Sequence, residues 1–311
     1  MDATYAVNES IRETTDGSWI LAEKLLLSRQ SSPSSTQPSW SDGENSFFVL
    51  SEATGPMPES RPLSNTSIIQ KVYDAGAASA VWRVGEAFIK VKKLLVPTAT
   101  REHVTLEYLH HHKASLTFDI PHVHYHAEFD GRYYLVTSRL PGQTLGEAWP
   151  GMDERTKQHY VDRIATICEQ LAVLKGDSIT GVDGHHISDL FLSRSGENDC
   201  DPQHLVNNCK DVGMDCSSFV FCHCDLGPGN IVLNLAEDSI AILDWESAGF
   251  VPREWVRTKF SFCSGLDLPV EDEDERVDYR RRMLGGLKAM GSFEVAEKWW
   301  AWYNADRVVD S

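Results

Sequence analysis

The segment that most constrains the fold is residues 219–247, FVFCHCDLGPGNIVLNLAEDSIAILDWES. Its apolar runs are too short for helices and are broken by polar and turn residues, so they read as buried strands. The first run, ending before residue 225, exits into an H-x-D-x-x-x-x-N array made of His223, Asp225 and Asn230. The second stretch, between 230 and 245, ends on Asp244, nineteen residues after Asp225. Two β segments linked by a tight turn would bring Asp225, Asn230 and Asp244 to one edge.

That array has a specific chemical use. Phosphoryl transfer needs an acceptor hydroxyl in line with the γ-phosphate and cations to hold the charge on the transferring group. Asp225 can accept a hydrogen bond from the hydroxyl and then its proton. Asn230 offers an uncharged carbonyl ligand for Mg²⁺ and Asp244 a carboxylate, and oxygen ligands are what Mg²⁺ prefers. His223 belongs to the same catalytic set, where it is expected to brace the loop backbone rather than titrate.

The rest of the chain divides around this segment. Residues 1–65 have a character of their own: a short helical apolar pattern at 18–27, a Ser/Pro/Gln-rich run, and three prolines near 56–62. They predict a partly disordered extension, with Phe47 to Leu50 docking on the body. From residue 66 to 140, Val- and Ile-rich strands with Gly at the breaks surround one helical segment, ATREHVTLEYLHHH. That order suits a small α+β lobe. From 141 to 311 the chain reads as mostly helical, with Tyr160, Ile164, Ile167, Leu171 and Leu174 on one stripe.

Charge and cysteine content exclude several function classes. With 29 basic and 46 acidic residues the net charge is 29 − 46 = −17. This argues against nucleic acid, which needs a basic footprint, and against an anionic membrane surface. No stretch approaches the roughly 18 apolar residues of a membrane span. The seven cysteines are an odd number, and a reduced cytoplasmic setting with free thiols is expected. Cys209, Cys216, Cys222, His223 and Cys224 lack the spacing of a zinc knuckle.

At this point the chain resembles a known family. HCDLGPGN and ILDWESAG are similar to the signatures of the aminoglycoside phosphotransferase and choline kinase group, within the protein-kinase-like fold. The usual forms are H-G-D-x-x-x-x-N and [IV]-D-[WF]-E-x-A. Cys224 here stands in place of the common Gly, and Leu243 precedes Asp244. The resemblance implies an α+β, two-lobed fold: a small N-lobe with an antiparallel sheet plus a helix, and a larger helical C-lobe. It implies Asp225 as the catalytic aspartate and Asn230 with Asp244 as Mg²⁺ ligands. Lys90 in FIKV suits the lysine of the α- and β-phosphates, and Glu102 the helix glutamate that pairs with it. Gly76 and Ser79, in DAGAASA, stand where a nucleotide loop belongs. Ser138, Arg139 and Leu140 stand where a hinge reads adenine.

The function expected is ATP- and Mg²⁺-dependent phosphorylation of a hydroxyl on a small molecule. The acidic run at 271–276 and an aromatic stripe at Trp299, Trp302 and Tyr303 leave room for an amine-bearing acceptor. Blander readings are a solvated loop and a helix core. A pseudokinase module that binds nucleotide without turnover is the alternative. A protein kinase is disfavoured, because Asp244-Trp245-Glu246 replaces Asp-Phe-Gly and no Ala-Pro-Glu comes after it. Neither the acceptor nor the oligomeric state is readable from the chain.

Overall fold

The structure is a computed structural model, and it describes residues 5–53, 55–194, 197 and 199–305. Two compact units emerge: residues 1–97 with 121–140, and residues 98–120 with 141–311. Among the described residues no helix is long and apolar enough to cross a membrane.

The first unit is built from two antiparallel sheets. Strands β1 (Ile11–Thr14), β2 (Trp19–Leu21), β3 (Leu25–Gln30), β4 (Ser39–Ser41), β5 (Phe47–Glu52) and β6 (Ser60–Pro62) form one sheet, in the order β4-β5-β3-β2-β1-β6. Strands β7 (Gln70–Asp74), β8 (Ser79–Val84), β9 (Ala87–Lys93), β10 (Val123–Phe129) and β11 (Arg132–Ser138) form the other, ordered β10-β11-β9-β8-β7. Side chains alternate across a strand, so each strand offers every second residue to the interior. Trp19, Leu21, Leu25, Leu27, Phe48 and Leu50 from the first sheet join Ala80, Trp82, Val84, Ala87, Ile89 and Val91 from the second in one buried cluster. The same alternation puts Lys90 on the opposite face of β9. The sheets are also tied by polar contacts. Trp40 Nε1 donates to Val84 O at 2.8 Å and Glu86 N to Ser41 O at 2.9 Å. A Cβ at Gly85 would lie 2.6 Å from Ser41 O, so this approach needs glycine.

This overturns the expected extension. Where a partly disordered arm was expected, residues 11–62 supply the six strands of a sheet, and 18–27 is a hairpin rather than a helix. Trp19, Leu21, Leu25 and Leu27 keep a period of two through a turn in which Ala22 and Glu23 both take left-handed backbone (φ 54° and 56°). The turn lacks the Asn-Gly pair that signals such geometry, so the sequence carries no turn mark there. The docking expected of Phe47 to Leu50 is a full strand of the sheet.

The second unit is mostly helical. Its longest helix, Glu154–Leu171, is capped by the Asp153 side chain accepting from Thr156 N at 2.7 Å. Around it stand helices Pro202–Asp211, Arg253–Phe262, Asp278–Ala289 and Ala296–Tyr303, with two shorter ones. Trp299 is buried, stacks on Phe262 and donates Nε1–H to Phe191 O at 2.9 Å. The aromatic stripe is thus core at Trp299. Two small sheets carry the chemistry: β12 (Gln143–Thr144), β15 (Ile231–Asn234) and β16 (Ser239–Ile242) form one. β13 (Lys175–Gly176), β14 (Phe219–Cys222) and β17 (Gly249–Val251) form the other. Helix Glu102–His111, expected in the small lobe, groups with this unit. Flanking hydrogen bonds bind it there: Thr100 N to His186 O at 2.9 Å and Asp119 N to Ile240 O at 2.8 Å.

One buried ion pair holds this unit's floor. Lys259 Nζ lies 2.8 Å from Asp189 Oδ2, with side-chain exposures of 9% and 1%. Asp189 also accepts from Trp255 Nε1 at 2.9 Å. Burial disfavours the Lys259 ammonium, but Asp189 outweighs it and the pKa moves up.

These interiors predict two stability effects. Phe48, 1% exposed between Trp19 and Trp40, should cost about 3–5 kcal/mol when changed to Ala. Lys259→Met strands a buried carboxylate and should cost about 3–5 kcal/mol, while adding Asp189→Leu should recover most of it. Guanidinium unfolding curves check both, and a wild-type midpoint for either single variant would refute its account.

Candidate active site

Strand β14 ends at Cys222 and the chain turns into the loop 223–230. Cys224 occupies left-handed backbone at φ 62°, which explains the glycine usual at this place. The turn aims His223 inward, where it is 1% exposed. Its Nδ1 accepts the Asp225 N–H at 3.2 Å, and its Nε2 lies 2.8 Å from Leu243 O. A carbonyl only accepts, so Nε2 carries the proton and the ring is neutral. Burial also pushes the His223 pKa down. His223 braces the loop, with both ring nitrogens committed.

That brace joins two segments. Asn230 O accepts from Leu243 N at 2.8 Å, just where Ile231 pairs with Ile242 at the mouth of the β15–β16 hairpin. Asn230 and Asp244 therefore leave the hairpin side by side. β14 itself pairs with β13 and β17, so Asp225 reaches this edge through the His223 contact and not through a shared sheet. Asn230 Nδ2 donates to Asp225 O at 2.8 Å and to Asp225 Oδ2 at 3.2 Å. The amide's donor end is thus spent on Asp225, which leaves its carbonyl oxygen for another ligand. Burial raises the Asp225 pKa, against the pull of Lys259.

Asp244 also has left-handed backbone, φ 59° and ψ 62°. This bend turns the following N–H inward, and Trp245 N donates to Glu102 Oε1 at 3.2 Å. Trp245 is fully buried, stacked on Phe118 and Phe221, and fixes the bend. The result is a cluster the sequence did not announce. One carboxylate oxygen each from Glu102, Asp244 and Glu246 lie within 4.8 Å of one another. Glu102 was expected only as the partner of Lys90, and Glu246 was given no role. Its signal was its place two residues after Asp244.

The remaining expected site residues lie in the first unit. Gly76 and Ser79 bound the β7–β8 turn, Lys90 sits mid-strand in β9, and Ser138 ends β11. Ser138 N donates to His122 O at 2.8 Å and Arg139 N to Glu86 O at 2.8 Å. The chain passes from one unit to the other between Leu140 and Pro141, where the hinge was expected.

Comparison with known proteins places this layout in a family. The sequence pattern of the Phosphotransferase enzyme family matches residues 70–255, more than half of the chain. No curated protein matches. Among solved structures, the aminoglycoside phosphotransferase APH(3'')-Id from Streptomyces rimosus, in complex with ADP and streptomycin, is 14% identical. It aligns over 75% of this chain and 91% of its own, with a TM-score of 0.47. A Plasmodium vivax ethanolamine kinase is 15% identical over 78% of this chain and 77% of its own, with a TM-score of 0.40. The matched pattern, which spans strands of the first unit and the loop 223–230 of the second, leads to one assignment: this chain belongs to the Phosphotransferase enzyme family.

Proposed function

We propose that this protein transfers the γ-phosphoryl group of ATP to a hydroxyl of a small molecule. The observation that carries the reading is the single edge shared by Asp225, Asn230 and the Glu102–Asp244–Glu246 cluster. The acceptor oxygen attacks the γ-phosphorus, its proton passes to Asp225, and ADP leaves with the bridging oxygen. Asn230 restrains the Asp225 carboxylate through its Nδ2–H, so the base keeps one orientation.

The donor set fits a magnesium ion. The Asn230 carbonyl and the Asp244 carboxylate are hard oxygen ligands, and one carboxylate oxygen each from Glu102, Asp244 and Glu246 lie within 4.8 Å of one another. Bound there with nucleotide, Mg²⁺ would neutralise charge on the phosphates. Lys90, Gly76 and Ser79 are assigned to the phosphates, and Ser138 and Leu140 to the adenine.

The acceptor side has its own support. In the second unit a groove of about 360 Å³ carries Glu154, Asp274, Glu275 and Asp278 on its wall, with Lys157 and Arg282 among them. Arg282 pairs with Asp278 and Glu154, and the carboxylates still outnumber the cations, which suits an acceptor that bears an amine as well as the hydroxyl. The groove lies near the catalytic loop, since Tyr279, next to Asp278, donates its hydroxyl to Leu226 O at 3.1 Å.

Asp225→Ala should lower ADP release by about 10²- to 10⁴-fold, the usual contribution of a general base, with Mg·ATP affinity kept. Wild-type turnover would refute the base. Asp244→Ala should instead weaken Mg·ATP binding in calorimetry, and unchanged affinity would count against its metal role. A metabolite screen rich in amino alcohols should give ADP release. ATP-induced thermal stabilisation with no ATP consumption across that panel would mark a pseudokinase.

A further inference from the structure

Residues 5–10 lie upstream of the family-matched segment, yet they are tied into the first unit at both ends. The buried guanidinium of Arg132 donates to Ser10 Oγ at 3.0 Å and to Tyr5 O. Between those anchors Val7 is 2% exposed in the shared core. The short turn Val7–Glu9 then meets the tip of the β7–β8 hairpin, the loop assigned to the phosphates.

Asn8 makes that meeting specific. Its backbone N–H donates to Gly76 O at 3.2 Å. Its Nδ2 donates to Asp74 Oδ1 at 3.0 Å and to Oδ2 at 3.3 Å. Asp74 Oδ1 in turn accepts the Gly76 N–H at 2.8 Å. Lys71 Nζ bridges Asn8 O at 3.3 Å and Asp74 Oδ2 at 2.5 Å. Gly76 is therefore held on both its N–H and its C=O. In a trans peptide the C=O of Gly76 and the N–H of Ala77 point opposite ways. Pinning the carbonyl towards Asn8 turns the Ala77 N–H away from it, towards the open side of the turn. Within the turn, Ala75 N and Ala78 N are already used by Ser79 O and Ala75 O.

We propose that Asn8 is a positioning residue for nucleotide binding: it fixes the Gly76–Ala77 peptide so that the Ala77 N–H is presented to a phosphate oxygen of the nucleoside triphosphate. Lys71 and the Gly76 N–H hold the Asp74 carboxyl below its usual pKa, so the acceptor of this brace stays ionised. The N-terminal sheet thereby acquires a function, as the mount that carries Asn8 to the loop. The proposal rests on the phosphotransferase reading and deepens its nucleotide site.

The test is a charge swap read by calorimetry with Mg²⁺ and the non-hydrolysable triphosphate AMPPNP. Asn8→Asp sets two carboxylates face to face and should weaken AMPPNP binding about fivefold to tenfold, the scale of one ordinary hydrogen bond. KM for ATP should rise by a similar factor with kcat nearly unchanged. Asn8→Asp combined with Asp74→Asn restores a donor opposite a carboxylate and should return the affinity to within about twofold of wild type. Wild-type affinity in the single variant would overturn the proposal. So would a double variant as weak as the single, since the effect would then not run through the contact between positions 8 and 74. If the wild-type protein itself binds no AMPPNP, the phosphotransferase reading falls, and this proposal with it.

Discussion

The neutral imidazole of His223 is the contact on which the candidate site of the second unit depends. It takes a hydrogen from the backbone of Asp225 and gives one to the backbone of Leu243, so one side chain sets the distance between two polypeptide segments. A protonated ring could not accept the Asp225 N–H. The buried, low-pKa state is thus a condition of the geometry, and the aromatic wall of Trp245 at 4.6 Å maintains it. Around that joint the other bonds fall into place: Asn230 on Asp225, Asn230 O on Leu243, Trp245 N on Glu102.

Two residues with left-handed backbone flank the joint, and neither is glycine. Cys224 and Asp244 each carry a conformational cost of about 1–2 kcal/mol. Such costs persist where the surroundings over-determine the backbone. Here β14 and the His223 bonds fix one bend, and the buried Trp245 fixes the other. In both cases the strained residue adjoins a group with an assigned chemical task, Asp225 in one and the carboxylate cluster in the other.

The meeting of Asp225 and Asn230 with the segment of Asp244 was legible in the sequence, and the make-up of the first unit was legible only in part. Asp225, Asn230 and Asp244 lie within twenty residues, on strands marked by apolar runs, so local spacing carried the geometry. Glu102 was expected as the partner of Lys90, and the structure adds its bond from Trp245 N and its place beside Asp244 and Glu246. A helix's assignment to one unit rather than the other depends on distant bonds such as Thr100 to His186, which no local pattern records. The N-terminal sheet was missed because its strands are three to six residues long, its turn at Ala22–Glu23 lacks glycine, and its Ser/Pro loop resembles a linker. Its apolar face also has meaning only opposite β8 and β9, some thirty or more residues away.

That separation bears on how the chain is made. The first six strands leave the ribosome before the sheet they pack on exists, and β11, which completes that sheet, ends only at Ser138. Until then Trp19, Leu27 and Phe48 face water or a chaperone, on a sheet with two unprotected edges. Closure of the shared core is non-local, and the loop-closure entropy precedes any gain from burial. The N-terminal sheet is thus a slow-maturing part of the molecule, and the mounting of Asn8 against the β7–β8 loop waits for it. A newly made chain would pass through a stage in which residues 223–230 have not yet been synthesised and the β7–β8 loop is not yet held by Asn8.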